Sequence, residues 1–310
     1  MKIAAIDIGS NTVRMKIGEV AGRAIRPLMY EREVTRLASG LVAGRGLSGE
    51  SMQRTFDAIG RFMDVAKREG VTNVLAAGTS AIREAGNSGE LLSKVKHGFG
   101  LEVLVMDEEL EALTTAKGVV SSFDTVSGAL ILDIGGGSTE AIVYGQGNIR
   151  GHMSAPVGVV KLADKYLKSD PPAEGDLTWI EAEAASHVLN MHDRLSGLVS
   201  GETVFISTAG TPTTIAAIDL GLDEYDAERV HGHVVGIDKL RALYEKLVEL
   251  DNPGRFAIRG MEPGREDLII PGIILTIKLM EAFEFDRMRV SDKGLLDGLL
   301  QSLAQDLKLI

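Results

Sequence analysis

The stretch Asp133-Ile134-Gly135-Gly136-Gly137-Ser138-Thr139-Glu140 follows an apolar run over residues 129–132 and precedes an alternating run that ends at Tyr144. This pattern predicts a strand that ends in aspartate, a glycine-rich turn and a second strand. Consecutive N–H groups in such a turn can hold phosphate oxygens, and the aspartate beside them can hold a divalent cation. A lone copy is more typical of a plain β-turn with a capping aspartate.

A second copy of this pattern lies near the start of the chain. Asp7-Ile8-Gly9-Ser10-Asn11-Thr12 follows a short apolar run over residues 2–6 and precedes an alternating run over residues 13–20. The two copies begin 126 positions apart. Their repetition indicates an internal duplication and favours a pair of phosphate-binding turns over two ordinary turns.

Strand-like and helix-like segments alternate along both halves of the chain, which indicates an α/β layer fold. We predict two domains, residues 1–122 and 123–310, with a boundary near residues 121–127, where Ser, Asp, Thr and Gly concentrate. One long apolar helix is predicted over residues 265–283. The C-terminal helix, about residues 295–310, is expected to end the second domain or to pack back on the first.

The chain has 310 residues, with 33 Lys and Arg against 44 Asp and Glu, so its formal charge is −11. This balance disfavours non-specific binding to nucleic acid or anionic membranes, which requires spread positive charge. The absence of cysteine excludes disulfides, thiol catalysis and cysteine metal sites. No apolar run reaches the ~18–20 residues of a membrane helix, and the start does not fit a signal peptide. We therefore expect a cytoplasmic protein without nucleic-acid or membrane partners.

Two further polar segments could add phosphate contacts. Thr79-Ser80-Ala81-Ile82-Arg83 follows a predicted strand and offers two hydroxyls and a guanidinium. An N-cap followed by a surface arginine is the alternative interpretation. The loop over residues 207–214, which contains Gly210 and Thr211, precedes a predicted helix. It could supply N–H donors at the helix start, or it is only a capping sequence with proline in the first turn.

Asp107-Glu108-Glu109-Leu110-Glu111 places four carboxylates at the start of a predicted helix. Acidic residues there stabilise the helix dipole; alternatively, one of them orients and deprotonates an attacking water. His231-Gly232-His233 is either a ligand contact in a loop or the entrance to a strand. His187, His192 and Asp193 have a spacing that metal ligands use, but no further ligands follow them.

In this order the motifs resemble the exopolyphosphatase/guanosine pentaphosphate phosphohydrolase (Ppx/GppA) family, a branch of the actin-like ATPase superfamily. Further segments that carry the resemblance are 156–162, 209–234, 263–267 and 291–295. The resemblance covers nearly the whole chain, which is similar to the short, two-domain members. It implies an α/β fold of two actin-like (ribonuclease H-like) domains, related by internal duplication, with an interdomain cleft.

The resemblance implies hydrolysis of the terminal phosphate of inorganic polyphosphate or guanosine pentaphosphate by in-line water attack, with Mg²⁺, or alternatively Mn²⁺, as the cofactor. By position it makes Glu111 the catalytic base and Asp133 and Glu140 the acids at the metal and the water. Asp7 is predicted to join Asp133 and Glu140 as a metal ligand.

The predicted contacts to the phosphate groups are Ser10, Asn11, Thr12, Arg14, Thr79, Ser80, Arg83, Gly135, Gly136, Gly137, Ser138, Gly210 and Thr211. The positive lining that lets an acidic protein hold a polyanion is expected from Arg14, Arg83, Lys161, Arg265 and Lys293.

The chain departs from the family pattern at several positions. Leu110 and Leu113 replace an acid and an arginine beside Glu111. Ala209 stands where the third loop usually has glycine, and Leu296 stands where an arginine is common. Each change removes polar or conformational capacity from a phosphate site.

These departures leave two other functions open. A non-catalytic or weakly catalytic protein could bind polyphosphate or guanosine polyphosphates as a sensor, and a small-molecule kinase of the same superfamily would share the turns. On the predicted helix, Glu108 could be the base in place of Glu111, since the two lie one turn apart. A homodimer is the default assembly for a soluble chain.

Overall fold

The computed structural model of the protein describes residues 1–22, 24–41, 46–123 and 126–310. The strands are β1 (Lys2–Ile8), β2 (Thr12–Ala21), β3 (Ala24–Val34), β4 (Asn73–Gly78), β5 (Val103–Val105), β6 (Gly128–Ile134), β7 (Thr139–Gly145), β8 (Asn148–Ala155), β9 (Val204–Thr208), β10 (Val234–Gly236) and β11 (Arg287–Val290). The helices are α1 (Gly49–Arg68), α2 (Ser80–Glu84), α3 (Ser88–Phe99), α4 (Glu108–Val120), α5 (Val159–Tyr166), α6 (Glu174–Leu195), α7 (Gly210–Asp219), α8 (Ala227–Val230), α9 (Ile237–Val248), α10 (Asn252–Phe256), α11 (Ile269–Ala282) and α12 (Leu295–Asp306). These elements divide into two compact units, one of Met1–Ser122 with Gly294–Ile310 and the other of Phe123–Lys293.

The first unit is built on a mixed sheet with the strand order β3-β2-β1-β4-β5. β1, β2 and β3 are antiparallel neighbours, whereas β4 and β5 run parallel to β1. Helix α1 begins at the Ser48 N-cap, whose side chain accepts the Ser51 N–H. It buries Ile59 and Phe62, which pack with Ile6 on one face of this sheet.

Helix α12 covers the other face of the first sheet. Leu295 and Leu299 pack with Ile3 and Ala5 of β1, which alternate with the residues of the α1 face. Leu296 is buried in the same apolar cluster. The leucine that stands in place of an arginine therefore belongs to the core of the first unit.

One ion pair and one close approach between helices fix the position of α12. The buried Lys16 amino group on β2 lies 2.8 Å and 3.0 Å from the two carboxylate oxygens of Asp297. A Cβ atom at Gly298 would lie 1.9 Å from the Thr114 carbonyl oxygen of α4. Only glycine allows α12 to approach α4 this closely.

The second unit is built on a mixed sheet with the strand order β10-β11-β9-β6-β7-β8. β6, β7 and β8 are antiparallel neighbours, β9 and β11 run parallel to β6, and β10 is antiparallel to β11. Its core contains Leu132 of β6, Phe205 of β9 and Ile273 of α11. Helix α6 adds its inner face, with Ile180 and Val188 in the same core.

The two sheets share one pattern of connections. β6, β7, β8, β9 and β11 take the places in the second sheet that β1, β2, β3, β4 and β5 take in the first. The first hairpins also match in detail: the Gly9 N–H binds the Thr12 carbonyl at 3.0 Å, and the Gly135 N–H binds the Ser138 carbonyl at 3.0 Å. The repeat in the sequence is therefore a repeat in the structure.

The α/β fold expected from the sequence is confirmed. Helix α11 begins at Ile269, later than the expected start at Arg265. Gly264 has a φ of +77°, and the Arg265 N–H binds the Glu262 carbonyl at 3.1 Å. These residues form a turn, so the helix begins only after it.

Helix α10 has no counterpart among the elements predicted from the sequence, and β10 is expected only in one of the two interpretations of the His231-Gly232-His233 motif. The two elements contain 5 and 3 residues, too few for a periodic signal. Of the boundary expected near residues 121–127, residues 124 and 125 lie outside the described residues. In the described parts of the chain, no helix has the length and apolar character to cross a membrane.

Replacement of Gly298 by alanine is expected to lower the free energy of unfolding by about 1–3 kcal/mol, because the methyl group would collide with the Thr114 carbonyl. Gly89→Ala is the matched control, since Gly89 lies in the first turn of α3 and has no atom within 4 Å of its would-be Cβ. The control should be neutral or stabilising. Urea unfolding followed by circular dichroism measures both, and equal losses would contradict the packing argument.

Candidate active site

Asp7 lies near the end of β1, opposite Arg14 of β2 in the antiparallel register. Asp7 is 1% exposed, and Arg14 Nε donates to its Oδ2 atom at 2.9 Å. The other oxygen, Oδ1, is buried and has no hydrogen-bond partner among the residues that the structure describes. A buried carboxylate oxygen without a partner is costly, so Oδ1 marks a place for a cation or a water molecule.

In the turn after Asp7, two carbonyl groups are engaged, and two backbone amide groups have no partner among the described residues. The Ser10 carbonyl accepts the Ala38 N–H at 2.9 Å, and the Asn11 carbonyl accepts the Arg36 N–H at 2.8 Å. Among the described residues, no hydrogen bond uses the backbone N–H of Ser10 or Asn11, and Asn11 Nδ2 is buried without a partner. Donors grouped in this way fit phosphate oxygens.

The segment after β4 reaches the same edge of the first sheet. β4 runs parallel to β1, and the Thr79 N–H binds the Ile8 carbonyl at 3.3 Å. Thr79 forms no side-chain capping bond, and Ser80 Oγ donates to Glu84 at 2.6 Å. Thr79 holds the N-cap position of α2, as the alternative interpretation expects, but the surface arginine of that interpretation is wrong, because the Arg83 side chain is only 19% exposed.

Glu111 is buried in the first turn of α4. Its Oε2 atom accepts a hydrogen bond from Arg83 Nη1 at 2.8 Å. The same nitrogen donates to the Met106 carbonyl at 2.8 Å, directly after β5. Arg83 therefore fixes the position of the Glu111 carboxylate and balances its charge.

The remaining acids of this segment serve the helix start. Asp107 is the N-cap residue, and its side chain accepts the Leu110 N–H at 2.8 Å. Glu108 and Glu109 are exposed in the first turn, where acids stabilise the helix dipole. The interpretation as helix-dipole stabilisation is therefore confirmed for these three acids, and a catalytic role for Glu111 stays a prediction.

Leu110 and Leu113, which depart from the family pattern, are exposed on α4. Neither takes part in the buried ion pair between Glu111 and Arg83. These two replacements therefore leave the candidate base and its positioning arginine in place.

Asp133 and Glu140 form the corresponding pair in the second unit. They lie opposite each other in the β6–β7 register, at the places that Asp7 and Arg14 occupy in the first unit. Opposite residues of an antiparallel pair share one face of the sheet, so the two carboxylates lie side by side. The buried Glu140 accepts the Ser154 hydroxyl of β8 at 2.9 Å. Sequence reasoning missed Ser154, because alternation along β8 gives only the face of a residue, and the β7–β8 register is what sets Ser154 opposite Glu140.

The glycine turn of the second unit repeats the arrangement of donors. The Gly135 carbonyl accepts the Val159 N–H at 3.0 Å, and the Gly136 carbonyl accepts the Val160 N–H at 2.9 Å, both from the start of α5. Within the part of the chain that the structure describes, no hydrogen bond uses the N–H of Gly136 or Gly137. These amide groups are available to an anion.

Ala209 joins β9 to α7 with an unfavourable backbone conformation. Its φ of +76° and ψ of −170° belong to a region that residues other than glycine rarely occupy. A Cβ atom at Gly210 would lie 1.7 Å from an Arg265 guanidinium nitrogen, so Arg265 lies against the start of α7. Thr211 is buried, and it packs against Gly272 of α11.

Two hydrogen bonds support the cationic segments of the second unit. The buried Arg255 donates through Nε to the Glu266 carbonyl at 2.7 Å, which fixes the turn that carries Arg265. Thr208 Oγ1 donates to the Lys293 carbonyl at 2.8 Å. The first contact joins residues 11 positions apart and the second joins residues 85 positions apart, so no local pattern could reveal the second.

The His231-Gly232-His233 motif forms the entrance to β10. His233 Nε2 lies 2.7 Å from Asp219 Oδ2, and Lys239 Nζ lies 2.9 Å from Asp219 Oδ1. Burial raises the pKa of Asp219, but the hydrogen bonds from Lys239 and His233 outweigh it and lower the pKa below its ordinary value. His231 stacks on Phe123 with 4.6 Å between the ring centres. The contacts favour the strand entrance over a ligand contact.

No cluster of three or more His, Asp or Glu side chains in the described residues could hold a metal ion by itself. Mg²⁺ usually takes only one or two protein carboxylates and completes its octahedral shell with water and phosphate oxygens. Asp7, with one unpartnered buried oxygen, fits this role in the first unit. Asp133 and Glu140 offer a pair of carboxylates in the second unit.

A hairpin with an aspartate, a turn of unused amide groups and the same order of connections in two sheets defines the class of actin-like ATPase folds. Within this class, the chain belongs to the Ppx/GppA phosphatase family, whose sequence model matches residues 16–307. The family resemblance expected from the motifs is confirmed.

Relatives of known name cover most of the chain. It is 30% identical to exopolyphosphatase 2 of Mycobacterium tuberculosis over 98% of each chain. It is 27% identical to guanosine-5'-triphosphate,3'-diphosphate pyrophosphatase of Vibrio cholerae over 98% of this chain, which spans 60% of that protein. The crystal structure of an exopolyphosphatase from Cytophaga hutchinsonii matches with a TM-score of 0.90 and 25% identity, over 100% of this chain and 99% of that one.

Replacement of Ala209 by glycine is expected to raise the free energy of unfolding by about 1 kcal/mol, because relief of the backbone strain exceeds the entropy that glycine adds to the unfolded chain. Ala216→Gly, in the interior of the same helix, is the control and should cost about 1 kcal/mol or more. Differential scanning calorimetry measures both. A lower Tm in both variants would show that Ala209 carries no strain.

Proposed function

We propose that the protein hydrolyses the terminal phosphoanhydride bond of inorganic polyphosphate or guanosine pentaphosphate. The observation that carries the proposal is the repeated turn in which a carboxylate stands beside unused amide donors. The names of the relatives from Mycobacterium tuberculosis and Vibrio cholerae point to these two substrates. A protein of charge −11 can hold such polyanions only through local donors of this kind.

Glu111 is the proposed base that orients and deprotonates the attacking water. Its buried carboxylate has a fixed position because Arg83 binds it, so the water would be held in one direction. Hydrolysis of a phosphoanhydride needs positioning and neutralisation of charge rather than a covalent intermediate. The amide groups of the two turns would bind phosphate oxygens and supply that neutralisation.

Mg²⁺, or Mn²⁺ as the alternative, is the proposed cofactor. When bound, it would neutralise charge on the phosphate oxygens as the bond breaks. Asp7 would hold the ion through Oδ1, the oxygen that has no partner. Asp133 and Glu140 are the proposed carboxylates in the second unit.

We also propose that the protein acts in the cytoplasm as a homodimer, without nucleic-acid or membrane partners. The absence of cysteine is in line with a reducing compartment. The acidic net charge is in line with small polyanions, rather than nucleic acid or anionic lipid, as the ligands.

The Glu111→Gln variant should lose turnover by about 10²–10⁴-fold with nearly unchanged substrate affinity, because the amide keeps the shape of the side chain but cannot accept a proton. Orthophosphate release is measured with short polyphosphate, long polyphosphate, guanosine pentaphosphate and ATP. Glu108→Gln, on the exposed side of the same turn, is the control and should remain active.

Three other results would change the assignment. Loss of activity in the Glu108 variant alone would move the base to that residue. Release of ADP only in the presence of a phosphate acceptor would indicate a kinase. Binding of polyphosphate or guanosine pentaphosphate by the unaltered protein, with no release from any substrate, would assign a sensor.

The Asp7→Asn variant should need at least about tenfold more Mg²⁺ for half-maximal phosphate release, because a neutral amide oxygen is a weaker ligand than a carboxylate. Asp57→Asn, which alters an exposed carboxylate of α1, should leave the Mg²⁺ dependence unchanged. Titration of phosphate release with Mg²⁺ after treatment with EDTA measures both variants. Equal Mg²⁺ dependence in the two variants would exclude Asp7 as a ligand.

A further inference from the structure

The outer face of α6 carries no charge over most of its length, although the protein is acidic. Between the first residue of α6 and its last turn, the exposed positions are Gly175, Thr178, Trp179, Ala182, Ala185, Ser186, Leu189 and Asn190. Solvent-facing sides of helices normally carry charged residues. Trp179 is 63% exposed and Leu189 is 61% exposed. Large apolar side chains so exposed on one helix face are typical of a protein contact surface.

We propose that this face binds a second copy of the chain, with the two α6 helices antiparallel across a two-fold axis at Ala185. Ala182, Ala185 and Ser186 lie at the centre of the face, where small side chains let two helices approach closely. Trp179 and Leu189 lie on either side of this centre. Antiparallel pairing about Ala185 brings Trp179 of one copy beside Leu189 of the partner subunit.

The charges along one flank of α6 support the antiparallel arrangement. At 100° per residue, Asp176 and Glu183 in the first half lie on the same flank as His187 and Arg194 in the second half. The pairs 176 with 194 and 183 with 187 are both centred on Ala185. A two-fold axis there sets acidic groups of one copy against basic groups of the other, whereas parallel pairing would set like against like.

The two predicted charge contacts differ in strength. Glu183 already binds Lys165 in its own chain. In the described part of the chain, the carboxylate of Asp176 accepts hydrogen bonds from uncharged donors, among them the N–H groups of residues 168 and 169 and the Ser169 hydroxyl, so it keeps its net charge. The contact between Asp176 and Arg194 therefore carries most of the expected salt dependence.

The size of the face sets the expected affinity. α6 has 22 residues, so it is about 33 Å long. A pair of such helices buries less than the roughly 1,600 Å² of a stable interface, which corresponds to a weak dimer with a Kd in the micromolar range. Tryptophan is enriched among the residues that dominate interface energies, so Trp179 supplies the main apolar anchor of the contact.

Trp179 is the only tryptophan of the chain, so its fluorescence reports on this surface alone. Between about 1 and about 200 μM protein, a range that brackets a micromolar Kd, the emission maximum should move to shorter wavelength as the indole leaves water. Sedimentation velocity over the same range should show monomers converting to dimers. A chain that stays monomeric, or a dimer with unchanged emission, would overturn the proposal.

Substitution of Ala185 by residues of opposite charge tests the position of the two-fold axis. Ala185→Glu and Ala185→Arg each set like charges face to face, so each variant should raise the dimer Kd at least about tenfold. An equimolar mixture of the two should associate again, because unlike charges then meet. A mixture that associates no better than either variant alone would contradict an axis at Ala185.

Phe256→Glu is the matched control, since it adds a charge at an exposed aromatic residue of α10 and should leave dimerisation unchanged. Loss of dimerisation in this variant as well would contradict a contact confined to α6. Circular dichroism melting curves confirm that each variant is folded. These measurements do not depend on phosphate release, so they remain decisive whatever the enzymatic assays show.

Discussion

The antiparallel pairing of the first two strands in each sheet is the constraint on which the candidate site depends. Its register sets Asp7 opposite Arg14 and Asp133 opposite Glu140. A slip of one residue would turn each carboxylate to the other face of the sheet. The register is secure because β1 is packed on both faces, with Ile6 in one apolar cluster and Ala5 in the other, so a slip would disrupt the packing of both. The pairing of the flanking strands then positions the polar groups of each turn, and the side chains of the turn are not needed for this.

The two copies of the hairpin share one backbone and differ in charge. Arg14 partly neutralises the aspartate of the first copy. The second copy has Glu140 in that position, so it carries two neighbouring acids instead of an ion pair. The carbonyl groups of both turns are bound by the segment that follows the third strand, through Ala38 in the first unit and Val160 in the second. Duplication therefore preserved the amide donors while the carboxylate environments diverged.

The sequence could reveal the fold because its main signals are local. The repeated aspartate turn and the alternation of strands and helices predict both sheets, and the full set of motifs in their order resembles the family. The contacts that shape the site are not local: Glu111 and Arg83 are 28 positions apart, and Lys16 and Asp297 are 281 apart. Spacing alone cannot show such pairs. Ala209 is recognisable in the sequence only as a departure from glycine, and its physical meaning requires its φ of +76°.

Helix α12 completes the first sheet with residues that the ribosome adds only after the whole of Phe123–Lys293. Until Leu299 arrives, the face of β1 that carries Ile3 lacks its apolar cover. During translation one face of the first sheet therefore stays exposed until α12 is made, whereas the second unit can already bury its own core. The first unit is thus begun before the second unit in the order of synthesis and completes its core after it.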